Sequence, residues 1–403
     1  VCCLGLFLLW PMHRLCFFLV LLATTVSCVD FHDPDETRNV TELITSRGYG
    51  CEEHYVTTDD GYILSLQRIL QPGAQKPTGQ PVFLQHGLLD SAATWVINYY
   101  PSQNLAMILS DAGYDVWLGN SRGNTYSTAH VSLDINSNAY WNFSFDEMAK
   151  YDLPACINYI LETTNKSKLS YVGHSQGTMM MYAGLTLYPE LANKIKIFEA
   201  LAPVTFLQHM TSKIFTTLAE LPDLLIYKLF GRQSFGQNSK KGKEFTDIVC
   251  NLNSSLCDGA ICVLAGCESF DNYNQTRLPV LFSKFPAGTS VKNMVHWKQL
   301  VGNPECSMYS YLKNEQHYGT VQPPVYPVTD YTNPPMAVYS GGLDKMADPQ
   351  DVSDLIGPIQ TNSPKSVIEW SKLADYGHGD FVWGLDAHER VYPDVVNTIG
   401  QYN

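Results

Sequence analysis

The residues best suited to chemistry sit at Gly173-His174-Ser175-Gln176-Gly177. A serine hydroxyl becomes a useful nucleophile when it is lifted clear of the backbone and given a base. A sharp turn between a strand and a helix does the lifting, and glycines on either side leave room for it. The apolar run Leu169-Ser170-Tyr171-Val172 before the motif reads as a strand, and Thr178-Met179-Met180-Met181 after it reads as the start of a helix. The motif alone is also compatible with an ordinary glycine-flanked turn; the strand and helix around it favour a nucleophile elbow for acyl transfer.

Such a serine needs an imidazole, and the imidazole needs a carboxylate to fix its tautomer. In the α/β-hydrolase arrangement these follow in the order nucleophile, acid, base. Asp344 follows the strand-like Met336-Ala337-Val338-Tyr339-Ser340 through Gly341-Gly342-Leu343 and is the preferred acid. Its rival Asp348 precedes Pro349, where a helix N-cap accounts for it. Only His378 and His388 come later, and His378 lies in a glycine-flanked loop, whereas His388 falls in a helical pattern. His378 is therefore the expected base, and His174 a packed pocket residue. The oxyanion needs two N–H donors, one after the nucleophile and one after an early strand. Those are Gln176 and, behind His86-Gly87, Leu88.

The elements that must position these residues alternate. Tyr49 to Leu70 reads as a hairpin, Pro81 to Leu88 and Tyr114 to Leu118 as strands, and Asn104 to Ala112 and Phe145 to Glu162 as helices. After the elbow helix comes a strand at Lys196 to Leu201. Strand–helix alternation implies a mostly parallel sheet with helices on both faces. It lapses from Val204 to about Pro334, where one apolar helical stretch (Phe215 to Phe230) and a charged loop (Lys240, Lys241, Lys243, Glu244) suggest an insertion over the sheet's C-terminal edge. It then resumes with a helix at Pro349 to Ile359, a strand at Ser366 to Trp370 and a final helix from Leu385 to Tyr402. The expected division is a leader (1–28), a first core part (29–203), an inserted cap (204–334) and a second core part (335–403). The Asn120-Ser121-Arg122-Gly123-Asn124 loop lacks the lysine and spacing of a phosphate loop and reads as structural.

Among the 403 residues, 26 Lys and Arg stand against 39 Asp and Glu, a net charge of −13, which disfavours nucleic acid or an anionic membrane surface as the main partner. The apolar run Leu15 to Ala23 after Met12-His13-Arg14 resembles a secretory leader. Sequons at Asn39, Asn142, Asn165, Asn253 and Asn274 agree with that route. Of the cysteines beyond the leader, Cys250, Cys257, Cys262 and Cys267 cluster without a Cys-x-x-Cys pair or a nearby histidine, so disulfides fit better than a metal. Spacing leaves their connectivity open.

Several stretches resemble the animal acid lipase family of gastric and lysosomal lipases: Gly61-Tyr62-Ile63-Leu64, Gln85-His86-Gly87-Leu88, Gly119 to Asn124, Gly173 to Gly177, Pro286-Ala287-Gly288-Thr289-Ser290, Ala347 to Val352 and Tyr376 to Trp383. The resemblance implies an α/β-hydrolase with triad Ser175, Asp344 and His378, oxyanion donors Leu88 and Gln176, a cap carrying a lid, and a Cys250–Cys257 disulfide. It further implies a secreted or lysosomal lipase that cleaves neutral lipid esters at a lipid–water interface, with no metal, cofactor or obligate protein partner. A short-chain esterase and a catalytically silent lipid carrier are the alternatives on the same fold.

Overall fold

The computed structural model describes residues 33–74, 76–77, 79–236 and 271–402. The expected leader, Asn253, the charged 240–244 loop, Cys262, Cys267 and the Cys250–Cys257 pair lie outside them.

The central sheet contains β1 (Gly50–Thr57), β2 (Tyr62–Leu70), β3 (Pro81–Gln85), β4 (Asp115–Gly119), β5 (Leu169–His174), β6 (Ile195–Leu201), β7 (Met336–Gly341) and β8 (Val367–Leu373). Its order is β1-β2-β4-β3-β5-β6-β7-β8, with the two-residue segment Ala129–His130 also paired to β2. The first hairpin and the β2–β4 pair are antiparallel. From β4 through β3 and β5 to β8 every pairing is parallel. Every residue of β3, β4, β5 and β7 is buried. That is why these strands read as continuous apolar runs rather than alternating ones.

The principal helices of the core are α1 (Val40–Thr45), α2 (Leu105–Asp111), α3 (Leu153–Thr164), α4 (Gln176–Leu187), α9 (Pro349–Asn362) and α10 (Tyr392–Gln401), and those between β6 and β7 are α5 (Lys213–Ala219), α6 (Asp223–Phe230), α7 (Leu278–Lys284) and α8 (Val291–Leu300). Two helical expectations are corrected. The stretch Phe215 to Phe230 is two helices, α5 and α6, because Pro222 has no N–H for a continuous ladder and biases Leu221 away from helical backbone. The C-terminal stretch is likewise broken at Val391, between Ala387–Arg390 and α10, with Pro393 in the first turn of α10. A π-helical turn at Met148–Asp152 precedes α3.

The start of the segment between β6 and β7 is tied to α9 and to the loop before it. The His209 N–H and Nδ1 both bond Asp351 in α9, and the N–H groups of Thr211 and Ser212 donate to the Lys345 carbonyl. Asp348 caps α9 by accepting from Gln350 N–H, the structural role expected of it.

The loop after β4 is structural too. The Arg122 guanidinium is fully buried, pairs with Asp60 at 2.6 Å and Asp152 at 2.7 Å, and lies 3.9 Å over the Tyr62 ring. Asn120 bridges the Ser65 carbonyl, Gln67, the Ala92 N–H and Asn124. Both side chains spend their polar atoms on neighbouring elements of the fold.

Candidate active site

Ser175 stands where β5 ends and α4 begins, with φ 54° and ψ −120°. A non-glycine residue there carries strain of roughly 1 to 3 kcal/mol, held by its surroundings. Its N–H donates to the Leu201 carbonyl on the adjacent strand, and its carbonyl accepts from Thr178 N–H and Thr178 Oγ1. Close packing of α4 on β3 dictates Gly177: a Cβ there would stand 2.4 Å from the Gln85 carbonyl oxygen.

Asp344 lies just past β7 and His378 in the loop after β8, so parallel pairing of β5, β6, β7 and β8 brings their C-terminal ends to one edge. His378 Nδ1 donates to Asp344 Oδ2 at 2.8 Å. The other Asp344 oxygen accepts from the N–H groups of Met346 and Ala347, each at 2.8 Å. The carboxylate is therefore fully engaged and fixes the imidazole tautomer. His378 Nε2 is left bare, buried and without a hydrogen-bond partner among the described residues.

His174, the chain neighbour of Ser175, links the elbow to this pair. Its Nε2 donates to the His378 carbonyl at 3.0 Å, and the two rings lie 5.0 Å apart. Burial first and then repulsion from His378 push its pKa down to about 3, so it stays neutral, a packed pocket residue.

The oxyanion candidates flank the serine. Gln176 opens α4, where an N–H has no intrahelical acceptor. The Leu88 N–H takes no partner among the described residues. Its loop is held by His86, whose Nε2 accepts from the Ser121 N–H, which forces the proton onto Nδ1 for donation to the Gly87 carbonyl. Burial pushes the His86 pKa down to about 4 and keeps that tautomer neutral. A Cβ on Gly87 would stand 2.9 Å from Ser175 Cβ and 3.4 Å from Ser175 Oγ. Gly87→Ala is therefore expected to lower kcat/KM at least about 100-fold with the fold retained, since displacements near 1 Å at the reacting atoms cost that much; kinetics beside a circular-dichroism spectrum would check it.

Several positioning residues escaped sequence reasoning. The Gln176 side chain accepts from Asn293 Nδ2 and Trp297 Nε1 of α8, both at 2.8 Å. Asp380 accepts from the Gly377 N–H at 2.6 Å and from Asn272, which shapes the His378 loop, and burial pushes its pKa up to about 6. Asp90, two residues after Leu88, accepts from the Ser91 N–H, and burial raises it to about 7. Partners more than a hundred residues away leave no local signature. Asp380 sits two residues from His378, and an Asp-capped turn was the available signal.

The Asp90 shift has a definite sign. The folded state holds this proton up to about pH 7 whereas an unfolded aspartate releases it near pH ~3.9, so stability from this group is present in acid and is lost as pH rises between the two. Asp90→Asn should match wild type near pH 4 and gain on it toward pH 8, by on the order of 4 kcal/mol at most. Urea melts at both ends of that range would check it.

Of the expected glycan acceptors that are described, Asn39, Asn142 and Asn165 are exposed and Asn274 is half-buried. The described cysteines Cys51, Cys156 and Cys306 are free thiols.

Comparison with known proteins agrees with this architecture. A family model for a partial alpha/beta-hydrolase lipase region matches residues 40–99, and one for the alpha/beta hydrolase fold matches residues 80–385. The chain is 42% identical over 378 residues to gastric triacylglycerol lipase of Homo sapiens, covering 91% of this chain and 92% of that one. It is 43% identical over 378 residues to lysosomal acid lipase/cholesteryl ester hydrolase of Homo sapiens, covering 92% of each. Among solved structures, a soluble variant of monoglyceride lipase from Saccharomyces cerevisiae superposes with TM-score 0.52 at 14% identity, covering 88% of this chain and 96% of that one. An epoxide hydrolase from Vigna radiata gives 0.51 at 16%, covering 87% and 98%. These two report the fold alone. With its hydrolase sheet, its elbow and relatives of this identity along nearly its whole length, the chain belongs to the α/β-hydrolase family of the gastric and lysosomal acid lipases.

Proposed function

We propose that the protein is a lipase hydrolysing carboxylic ester bonds of neutral lipids, triacylglycerols and cholesteryl esters among them, through a covalent acyl-enzyme. One observation carries the residue assignment: His378 is bonded to Asp344 on one side and bare on the other, beside a strained serine elbow. His378 Nε2 takes the Ser175 proton as Oγ attacks the ester carbonyl. The oxyanion is held by the Leu88 and Gln176 amides, each worth roughly 3 to 4 kcal/mol in comparable sites. The imidazolium, steadied by Asp344, then protonates the leaving alcohol, and water deprotonated by His378 releases the fatty acid.

Residues 204–334 act in this reading as a cap over the site. Support comes from the bonds that Asn293 and Trp297 make to Gln176 and from the Ala287 N–H, which donates to the Leu89 carbonyl at 2.6 Å. A net charge of −13 suits uncharged esters. Exposed sequons and the leader-like N-terminus support a route through the secretory pathway, to the outside or to a lysosome. No helix among the described residues is long and apolar enough to cross a membrane.

Fatty-acid release from emulsified long-chain triacylglycerol, followed from about pH 4 to about pH 8, tests the reading. Release is the expected result. Cleavage of short soluble esters alone would make the protein an esterase, and failure of an active-site phosphonate to label Ser175 would make it a silent lipid carrier.

A further inference from the structure

A cavity of about 780 Å³ opens at the opposite pole of the sheet from Ser175. Its lining gathers the N-terminal ends of three adjacent parallel strands, of which β5 and β7 carry Ser175 and Asp344 past their C-terminal ends: Lys168 precedes β5, Ile195 and Lys196 begin β6, and Pro334 and Pro335 lead into β7. β5 alone spans about 20 Å at a rise of ~3.3 Å per residue, so the cavity and the elbow are separate places. Its volume falls within the roughly 300–1,000 Å³ of small-molecule sites.

The chemistry of the lining is amphipathic. Leu185, Ala192 and Tyr331 supply apolar surface, and Asn193, Thr332 and Asn333 supply polar surface beside them. Thr186 spends its hydroxyl on the Ala183 carbonyl and Tyr331 spends its own on the Pro334 carbonyl, so neither polar group asks for a ligand in the interior. The charged groups of the lining are Lys168, Lys196 and Asp330. Neither lysine forms an ion pair among the described residues, and Lys166 lies close enough to repel Lys196. On a chain with net charge −13, two lysines against the single carboxylate of Asp330 around one amphipathic cavity are a local exception. An anion joined to an apolar body satisfies both halves.

We propose that this cavity binds a free long-chain fatty acid, its carboxylate between Lys168 and Lys196 and its chain along Leu185, Ala192 and Tyr331. The choice of ligand rests on the lipase reading above, because this is the anionic amphiphile that such an enzyme releases. A carboxylate gains two cationic partners here, and each methylene buried leaves water. Product leaving the catalytic edge then has a second resting place on the same molecule.

Calorimetric titration with monomeric oleate tests the proposal, using enzyme whose Ser175 has first been blocked by a phosphonate. One equivalent of oleate is expected to bind, and the surface substitutions Lys168→Ala with Lys196→Ala are expected to weaken that binding at least tenfold. Ala192→Trp, which fills the cavity, should abolish it while both lysines remain. No binding to the blocked enzyme, or unchanged affinity in the double lysine variant, would overturn the site. So would binding only to anionic phosphatidylglycerol vesicles and not to monomeric oleate. Hydrolysis by unblocked wild type is scored separately: oleate binding without hydrolysis would sink the lipase reading and leave the site, and hydrolysis without oleate binding would do the reverse.

Discussion

Ser175→Ala is expected to lower kcat on emulsified triacylglycerol by about five to six orders of magnitude, the scale on which removal of a triad nucleophile acts. A residual rate some 10³-fold or more above water would survive, since the Leu88 and Gln176 amides still polarise the carbonyl. The backbone at 175 distinguishes this loss from unfolding. At φ 54° an alanine inherits the serine's strain, whereas a glycine relieves it. Ser175→Gly should therefore be as inactive as Ser175→Ala yet more stable, by about 1 kcal/mol. Titrating free fatty acid and melting the three proteins side by side separates the effects. Wild-type activity retained in Ser175→Ala would remove this serine from the mechanism altogether.

Asp344→Asn is expected to cost roughly 10⁴-fold in kcat with the geometry preserved. Asp344 Oδ1 already accepts the N–H groups of Met346 and Ala347, so the amide oxygen will take that position and turn its NH₂ toward His378. The amide then donates to Nδ1, the proton moves to Nε2, and the base faces Ser175 with its acceptor occupied. Raising the pH should not restore activity, because the wrong tautomer persists when the ring is neutral. Recovery at high pH, followed as kcat against pH, would argue instead for a purely electrostatic role of Asp344.

The fold was legible because the alternation of buried strands and helices is written at short range, and the candidate triad because chain order prunes eleven histidines to two. His388 was set aside on its helical pattern, and it does lie in the short helix Ala387–Arg390. The breaks at Pro222 and Val391 were misread because apolar spacing looked continuous across them, although the prolines at 222 and 393 were in plain view. The anchoring of Gln176 by Asn293 and Trp297 was illegible in principle, since residues more than a hundred positions apart meet only after the insertion packs. The structural role of Arg122 was readable as a negative, from the absence of a phosphate-loop lysine. Its two carboxylate partners were not.

The sheet order places β7 and β8 at one edge, after the insertion, and this bears on how the protein is made. A ribosome that has released the chain as far as residue 335 has supplied Ser175, Leu88 and Gln176 but neither Asp344 nor His378. The nascent polypeptide holds the candidate nucleophile without its candidate base from residue 175 until residue 378. Pairing β7 with β6 closes a loop of well over a hundred residues, a contact that forms late and slowly. The candidate triad is therefore completed as a last event of folding, after every residue between β6 and β7 has been made.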